Sequence, residues 1–128
     1  MSDQVIIKLV EGPLLPAGAG FDAGVGARLV FEGIVRPIEQ GEPIEGLLYE
    51  AYEPMTSREL TRLAEATLQT HGLIGLKVEH SVGKVAAGEV SFRLTLHSAH
   101  RKESLQAAEE FINQMKQGVP LWKTPIKA

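Results

Sequence analysis

The 128-residue sequence contains no cysteine. That absence removes disulfides, thiolate metal sites and any cysteine nucleophile. A basic block is also lacking. Thirteen Lys and Arg stand against 16 Asp and Glu, a formal net charge of −3 that disfavours a nucleic-acid partner. No apolar run approaches membrane-spanning length, and residues 1–15 show no positive region followed by an apolar core. The reading is a cytoplasmic protein without membrane contact. No repeat, low-complexity segment or linker interrupts the chain, so one domain over residues 1–128 is expected. A metal is not expected either. His97 and His100 lie three apart, with no second histidine pair or carboxylate cluster to complete a ligand set. The glutamates offer no pair suited to acid–base catalysis; Glu59, Glu65, Glu79, Glu109 and Glu110 read as solvated faces.

What is present is a succession of strand and helix signals. Residues 5–10 are a β-branched run stopped by Gly12 and Pro13. Residues 11–26, rich in Gly, Pro and Ala, predict a loop with one helical turn near 21–25. Residues 27–35 read as a buried strand in which Gly33 marks a bulge or a close approach. A turn-rich loop over 37–43 and a strand over 44–52 complete an expected hairpin with a long tip. Thr56 and Glu59 have capping-box spacing at the start of a helix with Leu60, Leu63, Ala64, Thr67 and Leu68 on one face, stopped by Gly72. Residues 76–85 and 90–96 flank a turn at Ala87 and Gly88. A second helix carries Leu105, Ala108, Ile112 and Met115 as its apolar stripe, with Ala107 and Phe111 beside it. Residues 121–128 form a short edge strand. The order predicts an α+β fold.

Positive groups collect at the ends of these elements. His100 and Arg101 open the second helix, where the backbone dipole already carries partial positive charge and normally attracts Asp or Glu. A bound anion relieves that conflict; so does a solvated helix start with Arg101 paired to a surface carboxylate. Lys116 lies in the last turn, where the dipole favours a cation for structural reasons alone. Lys123 follows Trp122 beyond a Gly118-Val119-Pro120 break, and Arg36 ends a strand, where it can simply anchor the loop. Taken together, the five groups suit a polyanionic small molecule. About 16 residues at ~1.5 Å rise put Arg101 and Lys116 of one chain roughly 24 Å apart. Either they serve different purposes, or two chains combine them in one pocket.

Five ordered segments carry a resemblance: F-E-G-I-V-R at 31–36, L-L-Y-E-A-Y-E-P-M at 47–55, H-S-V-G…G-E across 80–89, S-A-H-R at 98–101 and M-K-x-x-x-P-x-W-K at 115–123. With them, the sequence resembles the large, catalytic subunit of molybdopterin synthase from about residue 27 to 123. The resemblance implies an α/β-hammerhead fold and a central homodimer, with a small ubiquitin-like sulfur-carrier subunit at each end of a heterotetramer. It implies sulfurtransferase activity in molybdenum cofactor biosynthesis. Sulfur passes from the carrier's C-terminal Gly-Gly thiocarboxylate to cyclic pyranopterin monophosphate, and two transfers make the molybdopterin dithiolene. No cofactor is implied. A sulfurtransferase without cysteine must have its sulfur delivered, so the composition agrees.

By resemblance, Lys116 and Lys123 are catalytic. Ile34, Val35, Arg36, His100, Arg101, Lys116, Lys123, Thr124 and Pro125 bind substrate. Met115 and Trp122 are expected to wall the groove that admits the Gly-Gly tail. The family follows its W-K pair with a basic residue and then Glu, whereas Thr124 and Pro125 stand here. Lys123, without that carboxylate, is therefore expected to be placed more loosely than Lys116. Many relatives also continue beyond the position of Ala128. A second reading is a non-catalytic relative that binds the small subunit or an anionic pterin without turnover.

Overall fold

A computed structural model describes residues 4–16 and 24–128. The elements are β1 (Val5–Glu11), β2 (Ala27–Ile34), β3 (Ile38–Glu39), β4 (Glu42–Ala51), α1 (Met55–His71), β5 (Gly75–Ala86), β6 (Val90–Ser98), α2 (Arg101–Gly118) and β7 (Leu121–Lys127). The fold is mixed α+β. Strands run in the order β2-β6-β5-β4-β3, with β1 parallel to β5 and β7 antiparallel to β4. The helical turn expected near residues 21–25 falls largely outside the described residues.

The two helices pack on each other and on the sheet. Leu60, Ala64 and Leu68 of α1 and Ala107, Ala108, Phe111 and Met115 of α2 join Leu76, Val78, Phe92, Leu94 and Leu96 in one buried cluster. Strand alternation turns the intervening β6 residues, Arg93, Thr95 and His97, to the other face, where they are buried too. Arg93 is only 2% exposed. A charge so placed needs partners. It donates to Glu32 at 2.8 Å, to Glu79 at 3.1 Å and to the Leu15 carbonyl at 2.5 Å. Glu79 is therefore not on a solvated face, and Glu110 pairs with His71 across the helices at 3.3 Å.

Other expectations also change. Residues 27–52 do not form a hairpin, because β2 pairs with β6 (Phe31 opposite Leu94, Gly33 opposite Phe92). The local β5–β6 hairpin leaves β6 an open edge, and Val35 is tied to its turn by Val35 N–H to Glu89 C=O and Gly88 N–H to Val35 C=O. Residues 38–43 instead fold on themselves as β3 and the start of β4. Gln40 (φ 51°) and Gly41 (φ 80°) supply the positive dihedrals such a two-residue turn requires. The bulge expected at Gly33 is present, as a register shift between Gly33 and Ile34.

No capping box forms at α1. Thr56, fully buried, accepts from the Tyr52 N–H at 2.8 Å and donates to the Pro120 carbonyl at 2.6 Å. Glu53 takes the capping role by accepting the Ser57 N–H at 2.7 Å, while Glu59 pairs with Arg62. Gly72 ends α1 in the left-handed conformation, as the sequence predicts. On α2, Leu105 is exposed and Ser104 takes its place in the buried face.

Candidate functional site: a cationic cavity at the end of α2

Strand register assembles the floor of the site. Across β2, β6 and β5, Gly33, Phe92 and His80 lie side by side. Across β5, β4 and β7, Gly83, Tyr49 and Lys123 do the same. The C-terminal two turns of α2 cover this floor with Ile112, Met115 and Lys116, and Val119 and Leu121 follow. The resulting cavity, open to solvent on one side, is about 450 Å³, within the range of small-molecule sites.

Three cations line it: Arg36, Lys116 and Lys123. Ile34 and Val35 line it as well, Val35 being buried. The sequence-predicted residues therefore divide. His100 and Arg101 sit at the opposite end of α2, both exposed, and do not line the cavity. His100 faces Glu103 at 3.7 Å, so a carboxylate in the first turn partly relieves the charge conflict there. Thr124 and Pro125 pair with Leu48 and Leu47 along β4, outside the cavity lining. Trp122 is not a wall of this cavity. It projects from β7 on the side away from Lys123 and lies against Tyr52, with ring centroids 6.4 Å apart.

One cavity residue has no precedent in the motif reading. Glu39, from the short β3, reaches Lys123 at 3.1 Å and Arg36 at 3.6 Å. Its hydrogen bond to Lys123 and that ammonium's charge hold its carboxyl below the usual glutamate range. Lys116, by contrast, makes no ion pair or side-chain hydrogen bond among the described residues.

The inner wall is aromatic and polar. His80 is buried between Tyr49 (5.1 Å, edge-on) and Phe92 (5.7 Å). Its Nδ1 lies 2.8 Å from the Ser81 carbonyl, which can only accept, so Nδ1 carries the proton and Nε2 is an acceptor in the neutral ring. Burial pushes the His80 pKa down, against the Ser81 hydrogen bond. Tyr49 and Ser91 bond to each other through their hydroxyls at 2.9 Å.

A family model for the MoaE protein matches residues 8–118. The chain belongs to the MoaE family. Among curated relatives, the molybdopterin synthase catalytic subunit of Coccidioides immitis is 31% identical over 124 residues, covering 94% of this chain and 63% of its own length. The chain spans only 54% of the corresponding Oryza sativa subsp. indica protein. Two solved structures agree. Molybdopterin synthase from Staphylococcus aureus superposes with a TM-score of 0.84 at 27% identity, over 94% of this chain and 90% of that one. The complex of subunits 1 and 2 of molybdopterin-converting factor from Helicobacter pylori gives 0.74 at 28%, over 95% and 89%.

Within this MoaE chain, sequence reasoning missed Glu39, His80, Tyr49 and Ser91 as cavity residues. Strand alternation offered a signal for one of them. Tyr49 shares a face of β4 with buried Leu47, and the cavity lies on that face. Nothing in the sequence pointed to Glu39, whose position depends on the β3 turn.

Proposed function

We propose that this chain is the catalytic, sulfur-transferring subunit of a molybdopterin synthase, working in the cytoplasm. It would act as a homodimer, with a small ubiquitin-like sulfur-carrier subunit bound to each protomer. The observation that supports this best is the convergence of Arg36, Lys116 and Lys123 on one cavity, in a chain without cysteine. The proposed substrate, cyclic pyranopterin monophosphate, carries a phosphate that suits Arg36. The carrier's thiocarboxylate supplies sulfur that is already anionic. The carrier's sulfur bonds to a substrate carbon as a carbon–oxygen bond at that carbon breaks, the oxygen departing as water or with the phosphate. Water then cleaves the acyl–sulfur bond, leaving the carrier with a carboxylate and the pterin with a thiolate. Negative charge builds on the acyl oxygen in that second step, and the ammonium groups lining the cavity stabilise it. Two such transfers complete the dithiolene. His100 and Arg101 serve as substrate ligands for the cavity of the other protomer. Ile34 and Val35 shape the wall, and Thr124 and Pro125 contribute backbone near Lys123.

The test is incubation of the purified protein with a thiocarboxylated carrier and the cyclic pterin, followed by measurement of dithiolene product. Product at a rate dependent on Lys116 is expected. Carrier and pterin binding without product would replace this reading with a non-catalytic binding role.

A further inference from the structure

Lys123 lies on β7, which among the described residues pairs with a single strand, β4. The residues after it, Thr124 and Pro125, offer no carboxylate to hold its side chain. A lysine there has about four free rotors, and its ammonium should sample many positions. Glu39 removes that freedom. It arrives from β3, a separate two-residue strand, and its side chain is 15% exposed against 55% for Lys123. The hairpin that carries it is fixed by the Gln40–Gly41 turn and by the Ile44 N–H to Pro37 carbonyl bond at 2.9 Å. An ammonium has three N–H donors, so one bond to Glu39 leaves two for a ligand.

We propose that Glu39 is a positioning residue of the cavity, tethering Lys123 as a fixed cation and leaving Lys116 as the untethered amine. The consequence is a division of labour between the two lysines. Lys123 supplies a charge at a set place, and Lys116 is free to approach the reacting atoms. Glu39 also limits the cavity's positive charge by facing Arg36, so an incoming phosphate meets two cations already spaced by a carboxylate. The activity side of this inference rests on the sulfur-transfer reading; the tether itself does not.

Two measurements separate these. In the first, the folded protein is labelled with trace acetic anhydride, and acetylation is read at each lysine by mass spectrometry. Glu39→Gln should raise Lys123 labelling roughly threefold, as for loss of a partly exposed ion pair. Lys116 labelling should be unchanged, and Glu39→Asp should fall between parent and Glu39→Gln. Glu42→Gln, opposite Glu39 in the β3–β4 ladder, is the control and should leave Lys123 labelling unchanged. In the second, single-turnover sulfur transfer should slow about tenfold in Glu39→Gln and recover in part in Glu39→Asp. Once Lys123 is replaced by Met, adding Glu39→Gln should cost much less than it does in the parent, because most of its effect passes through Lys123 and only the contact with Arg36 remains. Unchanged Lys123 labelling in Glu39→Gln overturns the tether. Equal rate losses from Glu39→Gln with and without Lys123 overturn the positioning role. A parent protein that transfers no sulfur sinks the functional reading, and the labelling result then decides the tether alone.

Discussion

Arg101 and Lys116 occupy opposite ends of α2, and only Lys116 lines the cavity. Fifteen residue steps at ~1.5 Å rise separate their backbones by roughly 22 Å, beyond the combined reach of both side chains toward one small ligand. If both serve the same reaction, two chains must share each cavity. An Arg101→Ala chain and a Lys116→Ala chain should then complement each other. After unfolding and refolding an equal mixture, random pairing makes about half of all dimers mixed. Each mixed dimer has one cavity with both wild-type residues and one with neither. About a quarter of all cavities are therefore intact, so the mixture should recover about 25% of parental activity.

The assay is single-turnover dithiolene formation, with dimer composition read by native mass spectrometry. Each variant alone should stay at least about a hundredfold below the parent, the usual scale for losing one charge-stabilising group. Recovery should track the mixed-dimer fraction as the mixing ratio is varied. Confirmed mixed dimers without recovery would refute the shared cavity, and Arg101 would then be no more than a solvated helix start.

Three further outcomes follow from the geometry. Lys116→Arg should lose nearly as much transfer as Lys116→Ala, because a planar guanidinium is broader than an ammonium and cannot present its charge at the same point; near-parental single-turnover rates would show that any cation at this place suffices. Thr56→Val should lower unfolding free energy by about 1–2 kcal/mol in urea titration with unchanged m, since the part-buried bonds to the Tyr52 N–H and the Pro120 carbonyl are both lost. Burial lowers the His80 pKa, so the unfolded chain takes up this proton first as pH falls. His80 should thus leave stability unaffected above the ordinary histidine value of about 6.5 and reduce it below. His80→Gln should flatten that part of the stability–pH curve, and an unchanged slope between pH 7 and 5 would count against a neutral buried ring.

The sequence was most legible where local chemistry decides structure. Gly72 stops α1 because the chain there must turn left-handed, and Ala87–Gly88 closes the β5–β6 hairpin. Legibility failed where a longer-range partner outcompeted the local one. Thr56 and Glu59 have the spacing of a reciprocal cap, yet Thr56 bonds to Pro120, 64 residues away, because α1 begins where β7 is about to start. The 27–52 hairpin failed similarly: β2 found the open edge of β6, a strand it precedes by more than fifty residues. The site divided along the same line. Arg36, Lys116 and Lys123 stand in recognisable motifs and do converge, whereas Glu39 reaches them through a turn in a segment read only as loop.

Glu39 changes what the departure at Thr124 and Pro125 means for the site. Loss of the expected carboxylate after Lys123 suggested a loosely placed lysine, and hence favoured a chain that binds without turnover. The requirement, however, is for a carboxylate near the ammonium, not for one at a given sequence position. Glu39 meets it from a different strand, with Lys123 at 3.1 Å. A carboxylate two residues beyond Lys123 would share its face of β7 and move with the edge strand that carries the lysine. One from β3 links that edge to a second element instead, and it also faces Arg36 at 3.6 Å. The departure is therefore no argument for a non-catalytic chain, because the charge it removes from β7 is supplied from across the cavity.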